Sequence, residues 1–473
     1  MTATPAIDRK QRLALPVQKA ATQDPEARRA NWSEVVLGYT REQAIAEAER
    51  CLHCPAAPCQ KACPLHNDIE GALLRLEAGD IRGAGEQFRL TSPMPEICAR
   101  VCPQERLCEG SCVVGKRGTP VRIGLLERFV SDWQRQGDEI SPIQPSPPTG
   151  HAVAIVGAGP AGLAAAEDLR RAGHRVVIFD VWPIPGGVLE YGIPEFKLPK
   201  ELVHQKWDRL ARAGVELVRN TRVDVSVLGI AWLREMGFDA ILLAHGASAS
   251  RRLDVPGEDL AGVWSATEFL TRANLPSDEL PASWSRPVIV GKKVVVIGGG
   301  DTAMDCCRTA VRLGAADVTC VYRRGESEMP GRREERRYAR EEGVRFEFLA
   351  APGRLLGRNF EVAGVECIRM SLGEADASAR RSPVPIPGSE FVIPADTVIA
   401  AIGYLAEDSE SGTRRGLKRQ KDGTVSADLT TGATSLPGVF AAGDAVTGPN
   451  LVSTAAAAGK RAATAIDSYL KGG

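Results

Sequence analysis

The 473-residue sequence has neither a long apolar run nor an excess of charge of one sign. Its 59 basic side chains balance 59 acidic ones, whereas nucleic-acid-binding proteins usually show a basic excess. No apolar stretch reaches the roughly 18 residues that a membrane span needs. The first twelve residues also lack the apolar core of a secretory signal. These absences predict a cytoplasmic protein that has no nucleic-acid or membrane partner.

Cysteine is sparse over most of the chain and dense in one window. Eight of the 12 cysteines lie between Cys51 and Cys112. Without a signal for an oxidising compartment, metal binding is favoured over disulfides. The first group has the order Cys51-x2-Cys54-x4-Cys59-x3-Cys63, close to the spacing of ferredoxins with two clusters. Eight thiolates are enough for two [4Fe-4S] clusters.

Two other interpretations of the cysteines remain open at this point. Structural zinc also takes four thiolates, but zinc ribbons normally show paired Cys-x2-Cys units. The second group, Cys98-x3-Cys102-x5-Cys108-x3-Cys112, has no such unit. Buried free thiols are the third interpretation, although eight in one short window are many for that role.

The order of apolar residues divides the chain into two kinds of structure. Residues 1 to about 140 predict helices without strands, with Thr40 as an N-cap and apolar spacing in 68–76 and 123–133. A proline-rich linker follows at 141–150. Beyond it, a strand, a glycine turn, a helix and a second strand occur twice, which predicts two βαβ nucleotide folds.

The first glycine turn is a GxGxxG sequence formed by Gly157, Gly159 and Gly162. It follows an apolar run and opens a helix, so the helix N-terminus would face a pyrophosphate. Asp180 ends the next strand, where a carboxylate can accept a hydrogen bond from a ribose hydroxyl. These residues alone are compatible with either FAD or NAD.

The second glycine turn is Gly298-Gly299-Gly300, with Ala303 in the third position. The strand after it ends at Arg323 and Arg324, where an acid would favour NAD. Two guanidinium groups favour the 2′-phosphate of NADPH instead. The alternative is that both arginines belong to a solvated run of charge.

In combination, these motifs resemble the glutamate synthase small (beta) subunit family. Further markers are Gly186–Pro194, Tyr322–Glu335 and Gly443-Asp444. The N-terminal half of dihydropyrimidine dehydrogenase and the large subunit of electron-bifurcating ferredoxin:NADP oxidoreductases are similar to the same module.

The resemblance implies an α/β fold. It has two Rossmann-like dinucleotide-binding domains, of the glutathione/adrenodoxin-reductase type, after an α-helical domain with two [4Fe-4S] clusters. The implied boundaries are 1–145 for the iron-sulfur domain, 146–288 and 403–473 for the FAD domain, and 289–402 for the NADPH domain.

The resemblance also implies which residues hold each cofactor. For FAD they are Gly157, Gly159, Pro160, Ala161, Gly162, Asp180, Gly187, Leu189, Gly443 and Asp444. For NADPH they are Gly298, Gly300, Asp301, Thr302, Arg323 and Arg324. Cys51, Cys54, Cys59 and Cys112 would hold one cluster, and Cys63, Cys102, Cys108 and Glu127 the other. Spacing alone would put Cys98 in the place of Glu127.

The function implied is oxidation of NADPH by hydride transfer to FAD, without a catalytic side chain. Electrons would then pass through the clusters to the large (alpha) subunit of glutamate synthase, which makes glutamate from glutamine and 2-oxoglutarate. One alternative is a stand-alone or bifurcating NAD(P)H:ferredoxin-type oxidoreductase subunit. Another is a non-catalytic iron-sulfur scaffold or redox sensor. A disulfide reductase is disfavoured, because adjacent Cys306 and Cys307 on a helix point to different faces.

Overall fold

The computed structural model describes residues 8–223, 227–276, 278–280, 284, 288–375, 380–406 and 417–472. Its first part is mostly helical, as the sequence predicts. The elements are α1 (Arg9–Ala14), β1 (Ala21–Thr22), α2 (Pro25–Arg29), β2 (Val36–Gly38), α3 (Arg41–Ala48), α4 (Pro58–Ala62), α5 (Ile69–Glu77), α6 (Ile81–Arg89), α7 (Pro95–Val101) and α8 (Ile123–Gln136). The prediction that this part has no strands is wrong, because β1 and β2 form an antiparallel pair. These strands are too short to show an alternation of apolar and polar residues in the sequence.

Local capping explains where the helices of this part begin. The Thr40 hydroxyl accepts a hydrogen bond from the Gln43 amide at 3.3 Å, and the Gln43 side chain accepts one from the Thr40 amide at 3.0 Å. Asp68 caps α5 in a similar way, through the Gly71 amide at 3.1 Å. The apolar faces of α3, α5, α6 and α8 form one core, which includes Leu73 and Leu126.

The middle of the chain alternates strands and helices. The elements are β3 (Ala152–Val156), α9 (Pro160–Arg171), β4 (Arg175–Phe179), α10 (Val188–Tyr191), α11 (Lys200–Arg212), β5 (Glu216–Val218), α12 (Val227–Glu235), β6 (Ala240–Leu243), β7 (Ala249–Ser250), β8 (Val263–Ser265) and α13 (Ala266–Asn274). The four strands that the sequence predicts in the two nucleotide folds are all present, two of them in this list.

The remaining elements complete both nucleotide folds. They are β9 (Lys293–Ile297), α14 (Asp301–Arg312), β10 (Asp317–Tyr322), α15 (Arg333–Glu341), β11 (Arg345–Phe348), β12 (Ala350–Arg358), β13 (Glu361–Ala375), β14 (Arg381–Pro385), β15 (Phe391–Pro394), β16 (Thr397–Ala400), β17 (Tyr404–Leu405), β18 (Val439–Ala441), α16 (Asp444–Thr447) and α17 (Val452–Leu470).

Two five-stranded parallel sheets form the centres of these folds. The first has the order β18-β6-β3-β4-β5 and the second the order β11-β10-β9-β16-β8. This confirms the predicted α/β class with two Rossmann-like folds. The first sheet takes its edge strand β18 from beyond the second sheet, so the chain leaves the first fold and later returns to it. An antiparallel sheet of β12–β15 extends from the second fold. Within the described residues, no helix has the length and apolar character needed to cross a bilayer.

A buried cluster of charges joins the helical part to the second nucleotide fold. Arg28 is fully buried and contacts Glu341 at 2.7 Å and Glu342 at 2.8 Å. Arg312 contacts Glu342 at 2.7 Å, and its guanidinium lies 3.9 Å from the ring centroid of Phe196. We call these five residues the junction cluster. It ties α2, α14, the end of α15 and the segment before α11 together.

Removing Arg28 should cost far more stability than removing an exposed arginine. Arg28→Ala leaves the buried carboxylate of Glu342 with fewer partners, a change that costs about 3 kcal/mol in comparable buried pairs. Arg75→Ala is the matched control, because Arg75 pairs with Asp80 at 3.2 Å on the surface, where such pairs contribute about 0–1 kcal/mol. Thermal unfolding of both variants checks the difference. Equal losses would show that the junction cluster does not carry this stability.

Candidate functional site: a shared cleft beside two cysteine sets

A continuous cleft of about 1990 Å³ runs between the two parallel sheets. It is lined by the glycine turn after β3, by Asp180 after β4, by the glycine turn after β9 and by Arg323 after β10. The carboxyl ends of parallel strands are where such folds bind ligands. A typical small-molecule pocket measures about 300–1,000 Å³, so this cleft has room for two dinucleotides.

The first glycine turn leaves space only on the side that faces the cleft. Gly157 has φ +109°, and a Cβ there would lie 2.4 Å from the Ala244 carbonyl oxygen. At Gly162 a Cβ would lie 2.0 Å from the Gly157 carbonyl oxygen, so this glycine permits close packing of α9. At Gly159 a Cβ would meet nothing within 4 Å, which leaves a cradle next to the start of α9. Such a cradle at a helix N-terminus suits a pyrophosphate.

Asp180 both shapes this turn and faces the cleft. Its carboxylate accepts hydrogen bonds from the Ala158 amide at 2.6 Å and from the Trp182 amide at 2.8 Å. Burial raises the pKa of this carboxyl group, although the amides oppose the rise. Each carboxylate oxygen has a second lone pair, so Asp180 can hold the turn and still accept a hydrogen bond from a ligand hydroxyl.

Asp444, at the start of α16, presents a polar atom without a protein partner. Its Oδ1 is buried and makes no hydrogen bond within the described part of the chain. Asp444 lines the cleft, whereas Gly443 packs behind it, where a Cβ would lie 2.9 Å from the Ala161 Cβ. An orphaned buried oxygen in a cleft fits a ligand hydroxyl. Leu189 does not line the cleft and is fully buried in the core of the first nucleotide fold.

Asp444 should make the stability of the ligand-free protein depend on pH. Burial raises the pKa of its carboxyl group to about 7, against about 4 in an unfolded chain. Between these values the folded state binds the extra proton, so the contribution of Asp444 to stability decreases as the pH increases from about 4 to about 7. The Asp444→Asn apoprotein should therefore melt at a higher temperature than the wild type at pH 8. At pH 4 it should show no such advantage, and a wild type more stable at pH 8 would contradict the assignment.

The second glycine turn repeats this geometry at the other end of the cleft. Gly298 has φ +149°, and a Cβ there would lie 2.1 Å from the Ala401 carbonyl oxygen, whereas at Gly300 it would meet nothing within 4 Å. Asp301 begins α14 and accepts a hydrogen bond from the Arg332 amide at 2.9 Å. The Thr302 hydroxyl lies 3.5 Å from the Tyr404 hydroxyl. All four residues of this predicted set line the cleft.

The two arginines after β10 differ in their surroundings. Arg323 is exposed at the cleft, whereas Arg324 is buried and its Nε donates to the Arg381 carbonyl oxygen at 2.7 Å. A third arginine, Arg380, also lines the cleft. Sequence reasoning missed Arg380, because it lies 56 residues beyond Arg324 and no motif surrounds it.

Three aromatic residues of the cleft were also not expected. The ring centroid of Trp182 lies 4.7 Å from that of Tyr191 and 5.7 Å from that of Trp284, and all three line the cleft. Their positions in the sequence follow no period that would reveal the cluster. His245 also lines the cleft, and burial lowers its pKa to about 4. Its imidazole is therefore neutral at physiological pH.

The first cysteine set shares a small pocket in the helical part. Cys51, Cys54, Cys59 and Cys112 all line it, together with apolar residues such as Leu73. Burial raises the pKa of the Cys51 thiol to about 12, and the other three thiols act in the same direction. A cluster would therefore displace protons when it binds, because thiolates are the ligating form.

The second set lies deeper and contains both candidates for its fourth ligand. Burial raises the pKa of the Cys108 thiol well above its usual value, and Glu127, Cys102 and Cys63 add to the rise. Glu127 is buried, and its Oε1 accepts from the Asn67 side-chain amide at 3.1 Å. Cys98 is also buried and shares a hydrogen bond with the Cys102 thiol, which chiefly raises the pKa of Cys98. The arrangement keeps both alternatives open.

Both cysteine sets fit an iron-sulfur cluster, whose ligands lie apart, better than a single metal ion. In the described ranges, no three His, Cys, Asp or Glu side chains converge closely enough to hold a single metal ion. A [4Fe-4S] cluster binds one protein ligand at each of four irons, so its ligands need not meet at one point. Both sets of donor atoms fit that requirement. The first set has four sulfur atoms, and the second has three sulfur atoms with either a carboxylate oxygen or a fourth sulfur.

The start of α17 connects the cleft to the second cysteine set. Leu451 and Val452 line the cleft. The next residue, Ser453, is buried and lowers the pKa of the Cys102 thiol, after the larger effect of Cys98. Helix α17 also packs against α7, which ends at the residue before Cys102. One short segment therefore touches both the dinucleotide cleft and a predicted cluster ligand.

Two protein families match the chain. The pyridine nucleotide-disulphide oxidoreductase family matches residues 151–459, and the family described as dihydropyrimidine dehydrogenase domain II, 4Fe-4S cluster, matches residues 28–139. The matches cover the part with the cleft and the part with both cysteine sets. They support FAD and NAD(P)H as cofactors of the first region and [4Fe-4S] iron as that of the second.

Curated proteins resemble the chain over most of its length. The glutamate synthase [NADPH] small chain of Azospirillum brasilense is 41% identical over 94% of this chain and 92% of its own length. That of Escherichia coli K12 is 40% identical over 94% and 95%. The NADPH-Fe(3+) oxidoreductase subunit beta of Geobacter sulfurreducens is 38% identical over 94% of this chain and 68% of its own length.

A solved structure shows the same nucleotide-binding fold. Mycobacterium tuberculosis FprA in complex with NADPH aligns with a TM-score of 0.57 and 21% identity, over 69% of this chain and 85% of its own. This likeness supports the fold of the two Rossmann-like sheets.

Proposed function

Since this chain belongs to the glutamate synthase [NADPH] small-chain family of pyridine nucleotide-disulphide oxidoreductases, we propose that it is the electron-input subunit of a glutamate synthase. It is an NADPH-dependent oxidoreductase. In this role it oxidises NADPH and delivers the electrons to a large subunit, which forms glutamate from glutamine and 2-oxoglutarate. A cytoplasmic location belongs to the same proposal, because the reaction draws on cellular NADPH.

One observation carries this proposal: a single cleft contains both glycine turns, and the start of α17 links that cleft to Cys102. When bound, FAD accepts a hydride from NADPH, and the clusters accept electrons one at a time. The protein has to hold the two dinucleotides in one cleft and a cluster close by. The single cleft and its contact with the second cysteine set support electron flow from NADPH to FAD and then to a cluster.

In this proposal, FAD and NADPH are each bound by a separate set of residues. The turn at Gly157–Gly162 binds the FAD pyrophosphate, Asp180 and Asp444 accept its hydroxyl groups, and Gly187 lies near the ring. The turn at Gly298–Thr302 binds the NADPH pyrophosphate, and Arg323 and Arg324 meet its 2′-phosphate. The boundaries at 145, 288 and 402 remain part of the proposal.

The decisive experiment is reconstitution with a glutamate synthase large subunit. The purified holoenzyme should reduce an artificial dye with NADPH, and the complex should make glutamate from glutamine and 2-oxoglutarate. Dye reduction without glutamate formation would reject the glutamate synthase role and keep the oxidoreductase. A colourless protein that does not oxidise NADPH would instead support a non-catalytic scaffold.

A second candidate is an NADPH-oxidising subunit of another redox complex. The Geobacter sulfurreducens relative favours it, since that protein is a beta subunit with a different stated acceptor and comparable identity. The chain that co-purifies from the native organism distinguishes the two. A large amidotransferase-type partner supports glutamate synthase, and a different redox partner supports the alternative.

A further inference from the structure

The antiparallel sheet brings Arg380, which belongs to neither glycine turn, to the end of the cleft that contains the second turn. Arg324, which follows β10, donates from Nε to the Arg381 carbonyl oxygen at 2.7 Å. Arg380 precedes Arg381, so its Cα lies about 3.8 Å from the Cα of Arg381. Arg323, Arg324 and Arg380 all line the cleft. The bond from Arg324 to Arg381 therefore places Arg380 near the end of the strand that follows the second glycine turn.

Two acidic residues near this end of the cleft are paired with other arginines. Glu328 pairs with Arg381 at 2.7 Å, and this interaction lowers the pKa of the Glu328 carboxyl group. Glu326 pairs with Arg340 at 2.7 Å. Because these carboxylates are already paired, they oppose a bound anion less, and the local field favours a phosphate dianion.

We propose that Arg380 binds the 2′-phosphate of NADPH together with Arg323 and Arg324, and that Arg324 also positions Arg380. Arg324 holds the backbone at Arg381 and thereby fixes the residue before it. The inference rests on the proposed use of NADPH and adds a selectivity residue that lies outside the strand motif. Because NADH has no 2′-phosphate, each of these contacts favours NADPH alone.

The expected size of the effect follows from the strength of hydrogen bonds to charged groups. Losing one such bond typically reduces affinity about tenfold or more. Arg380→Ala should therefore weaken binding of 2′,5′-ADP to the purified holoenzyme about tenfold. Binding of 5′-AMP, which lacks the 2′-phosphate, should change less than about twofold. Titration calorimetry with both nucleotides measures this without relying on turnover.

Two variants make the comparison specific. Arg323→Ala should also weaken 2′,5′-ADP binding about tenfold or more. Arg354→Ala removes a positive charge from the same antiparallel sheet, where Arg354 pairs with Glu366 at 2.8 Å on the surface, away from the cleft. It should leave both affinities nearly unchanged, which separates a direct contact from a general loss of charge.

The positioning role of Arg324 has its own readout. Arg324→Lys keeps the charge but removes the Nε bond to the Arg381 carbonyl. Its effect on 2′,5′-ADP affinity should be smaller in the Arg380→Ala background than in the wild type, because coupled residues are not additive. Equal effects in both backgrounds would overturn the positioning role.

The binding data distinguish an error in the role of Arg380 from an error in the assignment of NADPH as the coenzyme. If Arg323→Ala weakens 2′,5′-ADP binding and Arg380→Ala does not, Arg380 is not a phosphate ligand, and the NADPH assignment stands. If the wild type binds 5′-AMP as tightly as 2′,5′-ADP and uses NADH as well as NADPH, the coenzyme assignment itself is wrong, and Arg380 has no phosphate to bind.

Discussion

Replacing Cys54 by serine is expected to lower glutamate formation by the reconstituted complex at least about a hundredfold. Cys54 is one of four thiols around the first pocket, and serine is a poor ligand for cluster iron. Iron content should decrease from about eight to about four atoms per chain, because each [4Fe-4S] cluster contains four. Reduction of a small dye that takes electrons at the flavin should change by less than about threefold.

The position of Cys54 makes this variant informative. The residue is only half-buried and is not part of the helical core, so serine should not unfold the domain. Ser111→Ala is a suitable control, since Ser111 precedes Cys112 in the chain but belongs to neither cysteine set. Full iron content and full glutamate formation in Cys54→Ser would show that the first set does not hold a cluster on the electron route.

Substitution of Glu127 should remove the second cluster if Glu127 is its fourth ligand. Glu127→Ala is then expected to lose about four irons and nearly all electron delivery beyond the flavin. Glu127→Gln keeps an oxygen but removes a negative charge, so it should keep the cluster and raise its reduction potential. Iron analysis and a redox titration followed by electron paramagnetic resonance measure both effects.

Cys98→Ser is the matched test of the alternative ligand. Cys98 and Glu127 are both buried, and both are close to Cys102. If Glu127 is the ligand, Cys98→Ser should retain about eight irons and the wild-type potential. Loss of iron in Cys98→Ser with full iron in Glu127→Ala would assign the ligand to Cys98 instead.

Local motifs made much of the fold predictable. The two glycine turns, the strands around them and the helix capped by Thr40 all depend on neighbours within a few residues, which a single sequence displays. The grouping of the cysteines came from resemblance, and the pocket that Cys51 shares with Cys112 supports it. This grouping and the other site residues are a proposal.

What the sequence could not reveal depends on contacts between distant segments. Arg380 reaches the cleft only because β13 and β14 fold back against the turn after β10. Trp284 meets Trp182 across about a hundred residues of chain. The fourth ligand of the second set depends on how α7 packs against α8, and spacing alone allows Cys98 as well as Glu127. Tertiary packing decides each of these.

The return of the chain to the first sheet constrains the order in which the protein can be made. Strand β18 pairs with β6, and nearly 200 residues separate the two, among them the entire second sheet. A nascent chain on the ribosome therefore exposes the edge of β6 until Val439–Ala441 has been synthesised. Such an open edge invites mispairing with other chains. The second nucleotide fold can form first, so the first nucleotide fold should be the last part to close.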